Sequence, residues 1–213
     1  MAGAAYLGVM SARIRSLLLA AVLVTGTAAS ASAQAEHKWI EPPAKLPSPQ
    51  RGDRAHNLDF LFQALKAAPD DETARAIAGR IWALWMVSRS DTVNLLMTRV
   101  RKAIEDKDLD VALKLLDAVI AIKPDYVEAW NRRATLYYMK RDYGRALADI
   151  SEVLKREPRH FGAWSGLGFI LQDIGNNRQA LEAYRRALAV YPRIERIPEL
   201  VKKLEEEVEG RDI

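Results

Sequence analysis

Three prolines, Pro124, Pro158 and Pro192, stand 34 residues apart, and each of the first two is followed six residues later by a tryptophan, Trp130 and Trp164. A fixed period of this length restricts the chain to a stack of identical small units, each unable to bury its apolar face without its neighbours. From Asp59 onward the apolar residues recur at three- and four-residue spacing, with neither strand alternation nor an Asn-Gly hairpin turn, so the units are helical. Counting back from the prolines divides the body into units 59–92, 93–126, 127–160 and 161–194.

The rows of the repeat explain its length. The fourth place holds Phe62, Leu96, Trp130 and Trp164; the eighth holds Lys66, Val100, Ala134 and Gly168; the twentieth is always alanine, at 78, 112, 146 and 180. Trp82, Leu116, Ile150 and Tyr184 share the twenty-fourth place, and Trp85, Val119, Val153 and Ala187 the twenty-seventh. Small residues let two antiparallel helices approach, and large ones on one stripe fill the space between successive pairs. The expected fold class is all-α, an α-solenoid of stacked helical hairpins. "KRDYG" (140–144) and "DIGNN" (173–177) fall between the two helices of a unit, with Gly144, Gly175 and the asparagines at 176 and 177 as candidates for the left-handed helix end. Each repeated proline closes the second helix.

"EAWNRRATLYYMKRDYGRALADISEVLKREP" and "GAWSGLGFILQDIGNNRQALEAYRRALAVYP" resemble tetratricopeptide repeats, whose pattern is Trp, Leu, Gly, Tyr, Ala, Phe, Ala and Pro at these places. Trp164, Leu167, Gly168, Ala180, Tyr184, Ala187 and Pro192 keep it, with Leu171 where Tyr is usual; unit 127–160 departs at Arg133 and Ala134; unit 59–92 is degenerate, with Ser90 in place of the proline. The tetratricopeptide repeat domain is expected over 57–194. Beyond it, in 195–213, Ile197, Leu200, Val201, Leu204 and Val208 lie on one face of a C-terminal capping helix followed by a tail.

The first 33 residues carry Arg13 and Arg15, the run "SLLLAAVLVTG", an Ala31-Ser32-Ala33 box and no acid. This is the pattern of a secretory signal peptide of exported bacterial type, read over 1–33. The run decays into small polar residues after Val24, whereas a membrane span needs about 20 apolar residues. Retention as an anchor stays open, as does a start at Met10. Segment 34–56 is a Pro-rich N-terminal arm or linker, in which Trp39 and Ile40 either fold back on the first helices or form a partner-binding motif. The chain has no cysteine, so neither disulfides nor lipid attachment at the cleavage site enters, and the expected location is periplasmic or secreted.

Lys plus Arg number 32 against 28 Asp plus Glu, a net +4 spread without basic blocks, which does not meet the basic-stripe criterion for nucleic-acid binding. His37, His56 and His160 have no partner at ligand spacing and are expected in solvated loops. There is no His-Glu-x-x-His, no phosphate-binding glycine loop, and in "GLGF" both Gly166 and Gly168 serve helix packing. No catalytic residue, cofactor or metal is expected, and no stable membrane insertion after signal cleavage.

What remains is a surface. In the resembled family the first helix of each hairpin lines a concave groove; carried over, its places include Arg101, then Glu128, Asn131, Thr135 and Tyr138, then Phe169 and Gln172, with Tyr138 and Phe169 as aromatic anchors for a protein or peptide partner. The carboxylate clamp of cytosolic chaperone-binding members is missing, since its places hold Met97, Arg101, Arg132, Gly162 and Gly166. The resemblance implies a non-enzymatic protein–protein interaction adaptor or scaffold for an envelope partner. The alternatives are a chaperone-like module for cytochrome c maturation or polysaccharide export, and an envelope enzyme with an unrecognised site.

Overall fold

The repeat places resolve into helices in the computed structural model, which describes residues 39–40, 42–43, 54–208 and 210, all within the compact unit His37–Ile213. Residues 1–33, expected to be a signal peptide, and most of the arm lie outside the described residues. Nine α-helices are present among the described residues: α1 Arg54–Lys66, α2 Asp71–Met86, α3 Asp91–Glu105, α4 Leu109–Ile122, α5 Val127–Met139, α6 Tyr143–Arg156, α7 Phe161–Asp173, α8 Asn177–Val190 and α9 Ile197–Val208. They form antiparallel hairpins α3–α4, α5–α6 and α7–α8, stacked in chain order, with α9 packed on α8. This is the expected α-solenoid of helical hairpins.

The row of alanines works as its size requires. Ala112, Ala146 and Ala180 are fully buried, as are Leu116, Ile150 and Tyr184 one turn later. A methyl group on Gly168 would stand 2.2 Å from the Tyr184 ring, so α7 and α8 meet at a spacing only glycine permits. Gly168→Ala is therefore expected to cost about 1–3 kcal/mol by overpacking, read as a lower denaturant midpoint with an unchanged slope; a neutral result would mean that the ring swings away freely.

The turns inside hairpins α3–α4, α5–α6 and α7–α8 each use one left-handed residue at the same place, Lys107, Arg141 and Gly175. The following amide donates back across the helix end, Asp108 to Ala103, Asp142 to Tyr137 and Asn176 to Leu171, at 2.8–2.9 Å. Gly175 is as expected, but Gly144 is not the left-handed residue: it lies in the first turn of α6, and Arg141 takes the conformation instead. Asp108, Asp142 and Asn176 then cap the second helices through their side chains.

The six-residue step from proline to tryptophan also has a physical cause. The indole N–H of Trp130 donates to the Pro124 carbonyl at 2.9 Å, and that of Trp164 to the Pro158 carbonyl at 2.8 Å. Each half-buried indole thus ties the start of one hairpin to the end of the hairpin before it. Arg133, which departs from the repeat pattern, adds a second tie: it bonds Asp149 on α6 at 2.8 Å and Asp117 on α4 at 2.7 Å, and lies 5.0 Å over the Trp130 ring. The Asp149 carboxylate, against the cost of burial and with help from Asp117, pushes the guanidinium further up its already high range.

The junction before α3 lacks this tie, since Ser90 replaces the proline and Leu96 the tryptophan. There the stack breaks. Hairpin α1–α2 does not continue the column: α2 packs on α5 and α1 on α8, and their side chains share a core with α6 to α9, while α3 and α4 belong to a second cluster. Leu95 on α3 is 55% exposed, whereas Ala129 and Ala163 at the same place are covered by the preceding hairpin. Long polar contacts hold the folded-back hairpin: Arg159 to Asp59 at 2.6 Å, Arg193 to Asp71 at 2.9 Å, and Arg193 again to the Pro69 carbonyl at 2.7 Å.

Candidate functional site

The inner face of α5 and α7 is where sequence reasoning places a groove, and the structure brings those residues together under cover. Glu128, Asn131 and Thr135 follow one another along α5 and are all buried, as is Phe169 on α7. Phe169, expected as an exposed anchor, is 0% exposed and packs edge-on to Tyr184; it is a core residue. Tyr138 and Gln172 are half-buried, and Arg101 on α3 stands in solvent.

What covers the face is the chain itself. Trp82 and Trp85 of α2 meet at 5.2 Å, edge to face, and Trp82 lies 5.4 Å from Phe161. Trp82 would touch a methyl group on Gly162 at 3.0 Å. One turn along α7, Trp39 occupies the space where a Gly166 side chain would be, 2.2 Å from its would-be Cβ, and its ring is 5.4 Å from that of Tyr138. The two places where clamp residues would stand are thus glycines because two indoles lie on them. Trp39 folds back as one of the two expectations held, but onto α5 and α7, beyond the first hairpin.

His160 corrects a further expectation. It is 0% exposed, caps α7 by accepting from the Ala163 amide through Nδ1 at 3.0 Å, and lies 3.0 Å from Glu128 Oε1 through Nε2. With Nδ1 accepting, the ring proton sits on Nε2 and is donated to the carboxylate. The imidazole stacks on Trp85 at 4.2 Å and 9°. His56, also expected in a loop, belongs to α1; His37 lies outside the described residues. No sequence spacing could pair His160 with Glu128, because they are joined only by the stacking of successive hairpins.

At the far end of the face, Tyr138 and Tyr143 rings are 6.0 Å apart and Tyr143 donates to Asp173 at 3.2 Å. Burial, and after it the Asp173 carboxylate, push the Tyr138 phenol well above its ordinary range, so it remains a neutral hydroxyl. Met139 beside it is 54% exposed. Among the described residues no group of three or more His, Asp or Glu side chains could hold a metal ion, and no helix is long and apolar enough to cross a membrane.

Tetratricopeptide-repeat family models match residues 98–152, 132–171 and 161–194. A TPR repeat-containing protein of Rhizobium etli is 46% identical over 153 residues, covering 72% of this chain and 75% of that protein. The chain belongs to the tetratricopeptide-repeat family. A more distant member, small glutamine-rich tetratricopeptide repeat-containing protein 2 of Saccharomyces cerevisiae, is 28% identical over 42% of this chain and 26% of its own. Among solved structures, the first TPR of Spaghetti (RPAP3) bound to the HSP90 peptide SRMEEVD superposes with a TM-score of 0.53 at 17% identity, covering 56% of this chain and 95% of that one. The Sgt2 TPR domain from Aspergillus fumigatus gives 0.53 at 19%, covering 58% and 83%. The matched residues run from within α3 to just past α8, the three hairpins that stack in chain order.

Proposed function

We propose that the protein is an exported, periplasmic, non-enzymatic adaptor that holds a segment of an envelope protein against the inner face of α5 and α7. The observation that carries this reading is that the face already holds a non-helical segment: Trp39 and Ile40 lie on Gly166 and Gly162 with no helix or strand of their own. A surface that accepts one such segment through an aromatic side chain has the shape and chemistry to accept another. The solved relative bound to an HSP90 peptide supports peptide capture as a use of this fold. The leader pattern of residues 1–33 supports the location.

Of the residues carried over from the family, Tyr138, Gln172 and Arg101 are those a partner can reach; Glu128, Asn131 and Thr135 would shape the floor. The test is photo-cross-linking in cells with a reactive residue at Met139, beside Tyr138, and a control at Glu152 on α6. The expected result is an adduct with one envelope protein from the periplasmic fraction at Met139 alone, on a chain beginning at Gln34. Adducts from Glu152 only, or recovery of the full-length chain in the cytoplasm, would reject the reading.

A further inference from the structure

The inner face carries two kinds of cover, and they differ in how firmly they are held. Hairpin α1–α2 is part of the core, with Leu65, Ala74, Ile81 and Trp82 buried and with ion pairs and main-chain acceptors engaged from Arg159 and Arg193. Residues 39, 40, 42 and 43 are different. Trp39 is 6% exposed, Ile40 and Pro42 are half-buried and Pro43 is exposed. Among the described residues no hydrogen bond ties these four to the helices, and the buried indole N–H of Trp39 has no acceptor.

An indole brings a large apolar area for few frozen torsions, which accounts for the seating. Against it stand the ordering of a proline-flanked segment and an N–H removed from water without replacement. On α5 of the same face the side-chain amide oxygen of Asn131, Oδ1, is also buried without a donor. The seat is thus complete in shape and incomplete in polar pairing.

We propose that Trp39–Ile40 is an intramolecular ligand of the inner face, and that the partner is recognised through a segment of the same chemistry, a non-helical stretch with a tryptophan followed by a branched apolar residue, which displaces the arm. The proposal rests on the groove reading above and specifies its partner. The two would-be clamp places fix the chemistry: Gly166 admits a flat ring against the α7 backbone and Gly162 admits main chain, the Ile40 carbonyl oxygen standing 3.3 Å from its would-be Cβ. A side chain at either place would close the seat.

The test uses the full mature chain carrying Trp39→Ala, titrated with a fluorescently labelled peptide of residues 36–43, EHKWIEPP. The expected result is binding at least about tenfold tighter than to the wild-type chain, where the tethered arm competes at high effective concentration. The same peptide with alanine for tryptophan should not bind. Adding Gly166→Val to Trp39→Ala should abolish binding with the helical signal retained. Should Trp39→Ala unfold, Trp39→Leu keeps an apolar cover and should show an intermediate gain. Equal affinity for wild type and variant, or binding that survives Gly166→Val, overturns the proposal. So does a wild-type dimer that the peptide dissociates, since the seat would then be taken by the arm of a second copy. The peptide needs no natural partner, so success here with no adduct at Met139 in cells would sink the groove reading alone, and the reverse pattern would sink the intramolecular ligand alone.

Discussion

Trp82→Ala is expected to lower the stability of the chain by about 3–5 kcal/mol, the range for truncating a buried tryptophan. Trp82 is 2% exposed and touches Trp85, His160, Phe161 and the backbone of Gly162, so its removal opens a cavity between the folded-back hairpin and the stack. The repeat pattern alone singles out Trp164 for such an effect. That residue is half-buried with its N–H bonded to the Pro158 carbonyl, and Trp164→Ala should cost less, about 1–2 kcal/mol of lost apolar burial. Chemical denaturation of both variants measures the difference. Hydrogen exchange should place the Trp82→Ala loss in α1, α2 and the start of α7, leaving α3–α4 near wild type, because contacts in a stack are local. A larger loss from Trp164→Ala would mean that hairpin α1–α2 contributes little to the fold.

His160→Ala should cost a comparable amount, about 3–5 kcal/mol, because it leaves the Glu128 carboxylate buried without its donor. Glu128 is 0% exposed, and its other contact is the Asn131 amide at a long 3.5 Å. The substitution also removes the α7 cap and the ring stacked on Trp85. His160→Asn separates these effects: its short polar side chain can restore the cap, recovering about 1 kcal/mol, but it does not span to Glu128. Combining Glu128→Gln with His160→Ala should recover part of the loss, since a neutral amide is cheaper to bury than a carboxylate. Strict additivity of the two substitutions in urea unfolding would contradict a coupled pair. A loss from His160→Ala alone below about 1 kcal/mol would show that Glu128 reaches water.

The all-helical class, the hairpin unit and the C-terminal helix were legible in the residues because they follow from local spacing. Alanine at the twentieth place, large groups at the twenty-fourth and a proline at the end act within a unit or between adjacent ones, where chain distance and spatial distance agree. Even the position of the break was written in the chain, as the serine at 90 and the leucine at 96 in place of proline and tryptophan. Where the unlatched hairpin would go was not. The pairs that decide it, Arg159 with Asp59 and Arg193 with Asp71, join residues 100 and 122 apart, and nothing local distinguishes those arginines from others on the surface.

The same limit applies to the binding face. Family places located Glu128, Asn131, Thr135, Tyr138, Phe169 and Gln172 on the first helices of two hairpins, and they do lie there. Whether a residue at such a place meets solvent depends on what else lies on the face. One hint was present: glycine at both 162 and 166, in a helix where glycine costs about 1 kcal/mol relative to alanine, asks for something packed against the backbone. The sequence by itself determined the hairpin and its period, because those depend on contacts a few turns away. Only the tertiary structure decided that the first hairpin and Trp39 lie across the inner face, because that choice depends on apolar surfaces and ion pairs brought together by the completed stack.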